Sequence, residues 1–98
     1  MVVEVSDLAR ADVAQVAAYY EQQRAGLGRE FILELNEVLE RIARFPQGWT
    51  QVSRRSRRCL FNRFDYGAFY RIRGDVAVVL AVWHLQRRPG WRARERAD

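Results

Sequence analysis

The order of hydrophobic patterns along the chain predicts an α+β fold: a short N-terminal strand, a two-helix antiparallel hairpin packed on a mainly antiparallel sheet of about four strands, and a basic C-terminal tail. Three observations carry that reading. Residues 7–23 and 29–44 repeat apolar side chains at helical spacing, and they are separated only by Gly26-Leu27-Gly28. Residues 67–72 alternate aromatic or apolar with small or charged side chains, and residues 76–83 form a continuous β-branched and aliphatic run. Arg73-Gly74-Asp75 joins these two strands with residues that tolerate a tight antiparallel turn. Helices grouped before the main strands segregate to one face of an antiparallel sheet.

Taken in order, residues 1–5 alternate as a first or edge strand, and Ser6 is placed to cap a helix whose first turn carries Asp7. Leu8, Val13, Val16, Ala17 and Tyr20 lie near one stripe of that helix. On the second helix Phe31, Leu35, Val38, Leu39 and Ile42 share a face, and the glutamates, Glu34 among them, are assigned elsewhere. Pro46 ends the helix by pushing its predecessor out of the α region. Residues 49–53 read equally as a short strand or a loop, 59–61 as a strand, and 62–66 as a turn carrying aromatics. The strand at 76–83 is apolar on both faces, as expected of a central strand covered on both sides. Pro89 and Gly90 then forbid a continuing ladder, and residues 85–98 leave the sheet as a basic tail.

A chain of 98 residues is one domain, residues 1–98, with a modest core that a partner would stabilise noticeably. No stretch reaches the ~20 apolar residues of a membrane span, and Glu4 and Asp7 stand where a secretory signal would be basic and then apolar, so a cytoplasmic protein without a membrane partner is expected. The single cysteine, Cys59, forms no internal disulfide or cysteine cluster and reads as a small core residue. All 17 basic residues are arginine, which excludes any mechanism based on a lysine of lowered pKa. The net charge is +5, and the excess is concentrated from Arg54 onward, which points to an anionic partner. Neither a metal-ligand cluster nor a phosphate-cradling glycine loop is present in the sequence, so no cofactor is expected.

Three groups of residues are candidates for function. Arg54, Arg55, Arg57 and Arg58 form a basic cluster suited to an acidic protein segment or another anionic partner, or are simply a solvated loop. Arg87, Arg88, Trp91 and Arg92 in the tail pair tryptophan with arginine, a combination typical of interface anchors, since an exposed tryptophan is costly unless something covers it. Arg58, Arg71 and His84 form the third group, with arginines that could stabilise a crowded phosphate and the one histidine that could move a proton. No acidic residue lies between Glu40 and Asp65 to act as base on the first strands. His84 also reads as an ordinary hydrogen-bonded strand-end residue.

The ordered set Ala18-Tyr19-Tyr20, Gly26-Leu27-Gly28, Phe31, Arg44-Phe45-Pro46, Arg58, Arg63-Phe64-Asp65-Tyr66-Gly67, Phe69-Tyr70-Arg71 and Val79 to His84, with Arg87, Pro89, Trp91 and Arg92, resembles the ParE branch of the RelE/ParE toxin superfamily, also labelled plasmid stabilisation proteins. The resemblance covers nearly the whole chain. It implies the toxin of a type II toxin–antitoxin pair, neutralised by a cognate antitoxin in a hetero-oligomer and acting through its C-terminal segment on DNA gyrase, with or without the enzyme's DNA. The alternative within the superfamily is a RelE-like endoribonuclease that cuts messenger RNA on the ribosome, and RNA cleavage would then rest on Arg58, Arg71 and His84. A further alternative is an inactive or retargeted toxin fold that only binds its antitoxin.

Overall fold

The computed structural model describes residues 1–97. Its elements run β1 (Val2–Val5), α1 (Asp7–Gln23), α2 (Leu27–Arg44), β2 (Thr50–Gln51), β3 (Arg57–Leu60), β4 (Tyr66–Arg73), β5 (Val76–His84) and α3 (Trp91–Ala97). The strands form one sheet in the order β1-β5-β4-β3-β2. β1 runs parallel to β5, whereas the other pairs are antiparallel. The sheet thus has five strands where about four were expected. The additional one is β2, whose two pairs, Thr50 with Arg58 and Gln51 with Arg57, are too few for an alternating pattern to appear in sequence.

The helical hairpin forms as its sequence dictates. Ser6 Oγ accepts from the Ala9 N–H at 3.1 Å and caps α1. At the turn, Glu21 reaches forward from α1 to accept the Gly26 and Gly28 N–H groups, so α2 begins at Leu27, earlier than the glycines suggested. Phe31, Leu35, Val38 and Ile42 of α2 are buried against the sheet. On α1 the buried positions are Ala9 and Val13, and Val16 and Tyr20 pack against the same core as expected, but Leu8 is exposed and Ala9 takes its place on the buried stripe.

β5 lies between β1 and β4 and is buried from Ala77 through Trp83, as its uninterrupted apolar sequence required. Gly74 takes a positive φ of 61° in the β4–β5 turn. Leu80 is an extra residue in the ladder: Phe69 pairs with Ala81 and Tyr70 with Val79. This bulge reverses the alternation along β5. Ala77, Val79 and Val82 therefore join the hairpin-side core, and Ala81 and Trp83 join a second cluster on the opposite face with Phe69 and Trp91.

That opposite face is covered by α3. The segment expected as a basic tail is a seven-residue helix over 91–97, with Trp91 and Glu95 buried one helical turn apart. No apolar periodicity announces it, because Trp91 is its one large apolar residue. Residue 98 of the expected tail lies outside the described residues.

Candidate functional site

The docking of α3 creates the site, and three polar ties fix it. β1 ends alongside Val79, so the next residues of β5 lack a neighbouring strand on that edge. Asp12 of α1 fills the gap by accepting the Val82 N–H at 3.0 Å, and Arg94 of α3 donates to the Leu80 carbonyl at 3.0 Å. The two side chains also form a two-pronged ion pair, at 2.6 and 3.0 Å, that ties α3 to α1. At the other side of α3, Ser53 and Ser56 both donate to one oxygen of Glu95, at 2.6 and 2.7 Å. Burial of Glu95 opposes its ionisation, but these hydroxyls and the nearby Arg92 and Arg55 outweigh it and hold the carboxyl below the usual carboxylate range. Between the ties, the Trp91 ring stacks on Phe69 with centroids 4.6 Å apart.

Around Trp91 and Trp83 lies an open cleft of about 390 Å³ that is bordered by Arg58, His84, Arg87 and Arg92 and by no acidic residue. Each cation is positioned by its surroundings. Arg87 lies over the Trp83 ring at 3.8 Å and Arg92 over the Trp91 ring at 4.9 Å. Trp83 is itself anchored by donating from Nε1 to the Arg88 carbonyl at 2.7 Å. Gly90 sits against that indole so closely that a Cβ there would come within 2.9 Å of the ring. The Arg58 stem lies over Gly67, where a Cβ would be 3.0 Å from Cγ, and its Nε is buried without a hydrogen-bond partner among the described residues. His84 Nδ1 accepts from the Gln86 N–H at 3.1 Å, which leaves Nε2 as the nitrogen that carries the proton.

A second depression, of about 580 Å³, opens at the sheet edge between Gln47, Gln51, Arg54, Arg55, Arg57 and Arg71. The basic cluster is thereby divided. Arg54, Arg55 and Arg57 face this edge, with Arg57 donating to the Trp49 carbonyl at 2.9 Å, whereas Arg58 belongs to the cleft under α3.

The same division separates the residues proposed for RNA cleavage. Arg58 and His84 border the cleft, but Arg71 lies in the register opposite Val78, several pairs along β4 from the Tyr66–His84 pair, and lines the edge depression. His84 is instead in edge contact with the Tyr66 ring, at 5.0 Å between centroids. Burial, with a smaller push from Tyr19, raises the Tyr66 hydroxyl above its ordinary value, and Arg87 only partly opposes this. Burial likewise pushes the Cys59 thiol up, in keeping with its place as a small core residue. The tail residues Arg87, Trp91 and Arg92 do meet at one site, but Trp91 is buried against Phe69 and only its arginines are presented to solvent; Arg88 contributes its backbone carbonyl.

Sequence reasoning missed Asp12, Ser53, Ser56, Arg94 and Glu95 as the residues that build the site. One signal was available: Trp91, Arg94 and Glu95 stand at positions that share a helix face, which marks a docking surface even in a segment rich in arginine. Among the described residues no cluster of His, Cys, Asp and Glu could hold a metal ion, and no helix is long and apolar enough to cross a membrane.

A helical hairpin on one face of a mixed sheet, with a short C-terminal helix on the other, places the chain in a fold shared with toxin–antitoxin proteins: it superposes on a chain from the chromosomal ParDE TA system of P. aeruginosa with a TM-score of 0.67, over 88% of this chain and 97% of that one, at 15% sequence identity. No curated protein matches it by sequence. The family described as "ParE toxin of type II toxin-antitoxin system, parDE" matches residues 3–89, and the chain belongs to that family. The match ends before α3.

Proposed function

We propose that this ParE toxin is held inactive by a cognate antitoxin and, when released, inhibits DNA gyrase in the bacterial cytoplasm. The observation that carries this reading is family membership over residues 3–89. The surface chemistry is compatible with both partners. The edge depression with Arg54, Arg55 and Arg57 suits an acidic segment of the antitoxin, attracted over long range by the +5 chain. The cleft under α3, with Arg87 and Arg92 held on tryptophan rings, suits the target.

Induction of the chain alone in a bacterial host, with pulse labelling of DNA, RNA and protein synthesis over the first minutes, tests the proposal. Early loss of DNA synthesis with filamentation is the expected result. Early loss of protein synthesis instead would overturn it in favour of messenger RNA cleavage centred on His84 and Arg58. Normal growth with all three syntheses intact would leave an inactive toxin fold. Coexpression with its cognate antitoxin is expected to restore growth.

A further inference from the structure

We infer that the cleft under α3 is a binding site for the phosphodiester backbone of DNA, so that the toxin touches nucleic acid as well as protein when it acts. The inference rests on the reading of the chain as a toxin of a DNA-bound enzyme, but its argument is local. Three arginines, Arg58, Arg87 and Arg92, and His84 border one cleft. Arg87 and Arg92 are oriented by their tryptophan rings without spending hydrogen-bond donors on other described residues, and the buried Nε of Arg58 has no acceptor among the described residues. A buried donor left unpaired is costly, so the Arg58 side chain gains by shifting toward an acceptor that enters the cleft. Glu95 acts on Arg92 from beside the cleft but is held by Ser53 and Ser56, and no acidic residue lines the cleft among the described residues.

The chemistry of the occupant follows from what surrounds the donors. Three cations around a single cleft exceed what one carboxylate or one phosphodiester satisfies, since each carries a single charge on two oxygens, whereas successive phosphates of a strand repeat at a spacing that answers several cations together. The aromatic faces do not offer a platform for bases. Trp83 is covered by Arg87 and approached by Arg94, and Trp91 is covered by Phe69 on stacking and by Arg92. Recognition therefore falls on the backbone and is independent of sequence. Gly67 belongs to this site as a spacer, because the Arg58 stem runs where a side chain at that position would lie.

The test uses the full 98-residue chain made by cell-free translation and two fluorescein-labelled duplexes of unrelated sequence, with anisotropy read across a range of salt concentrations. Equal binding to both duplexes is expected. The double variant Arg87→Gln/Arg92→Gln should bind roughly ten-fold more weakly at moderate salt, with a slope of log K against log salt shallower by about 2, since each arginine neutralises about one phosphate. Arg29→Gln, an exposed change on α2, removes charge away from the cleft and should lower the slope by far less. Circular dichroism melting of each variant separates loss of binding from loss of fold. No binding to either duplex, or an unchanged slope in the double variant, overturns the inference, as does binding to labelled polyglutamate with none to DNA. Gyrase inhibition without DNA binding would defeat this inference and leave the proposed function standing; DNA binding without gyrase inhibition would do the reverse.

Discussion

On the hairpin side of the sheet, Phe31, Phe61, Phe64 and Tyr66 bury their rings among one another, with Phe31 and Phe61 stacked at 4.9 Å and Phe31 and Phe64 edge to face at 5.1 Å. On the other side, α3 is held by one aromatic stack and a few polar ties: Trp91 on Phe69, Arg94 on Asp12, and Glu95 on Ser53 and Ser56. The same two strands, β4 and β5, serve both faces. The hairpin side draws its stability from apolar area, which is non-directional and tolerant of salt and pH. The α3 side depends on charge and hydrogen-bond geometry, so it responds to both. The basic cleft lies on the side that is less strongly held.

Phe31→Ala probes the first side and should have the largest effect, a loss of about 3–5 kcal/mol of global stability by chemical denaturation, because a fully buried ring with four aromatic neighbours, Tyr20, Phe61, Phe64 and Tyr66, leaves a cavity. Asp12→Ala breaks the second side. It strands the Val82 N–H and removes both prongs of the Arg94 pair, at a cost of about 2 kcal/mol. Hydrogen exchange should show the loss first in α3, with the hairpin still protected. Equal loss of protection throughout would mean that the two sides unfold as one unit.

The legibility of the two sides differs for the same reason. Apolar periodicity announces α2 and the buried run of β5, and Arg73-Gly74-Asp75 announces the hairpin turn, since these depend on local pattern. The α3 side depends on pairs far apart in sequence: Asp12 with Arg94, Ser53 and Ser56 with Glu95. Glu34 shows the same limit on the other face. Helical spacing assigns it to the exposed side of α2, yet it is buried and accepts the backbone N–H groups of Asn62 and Arg63, a role set by a turn that lies elsewhere in the chain. The arginines can be counted from the sequence, but their division between two depressions cannot.

Acid should loosen α3 selectively. The folded-state pKa of Glu95 lies below its ordinary value, so its stabilisation is complete above the unfolded-state pKa and is lost as the pH falls through the folded value. Amide exchange in α3 measured across that window should rise before the hairpin opens, and Glu95→Gln should flatten the dependence. The smallest effect on stability belongs to Arg87→Gln, within about 0.5 kcal/mol by thermal melting, because the side chain lies on the surface of Trp83. A large destabilisation there would make Arg87 part of the scaffold.

The proposed action on gyrase through the α3 side is open to direct test. Purified gyrase and relaxed plasmid, incubated with excess of the full chain, provide it, with supercoiling read on a gel. The account predicts inhibition by the unmodified chain and markedly weaker inhibition by Arg87→Gln/Arg92→Gln of equal melting temperature. Full supercoiling in the presence of the unmodified chain, or undiminished inhibition by the double variant, would contradict it.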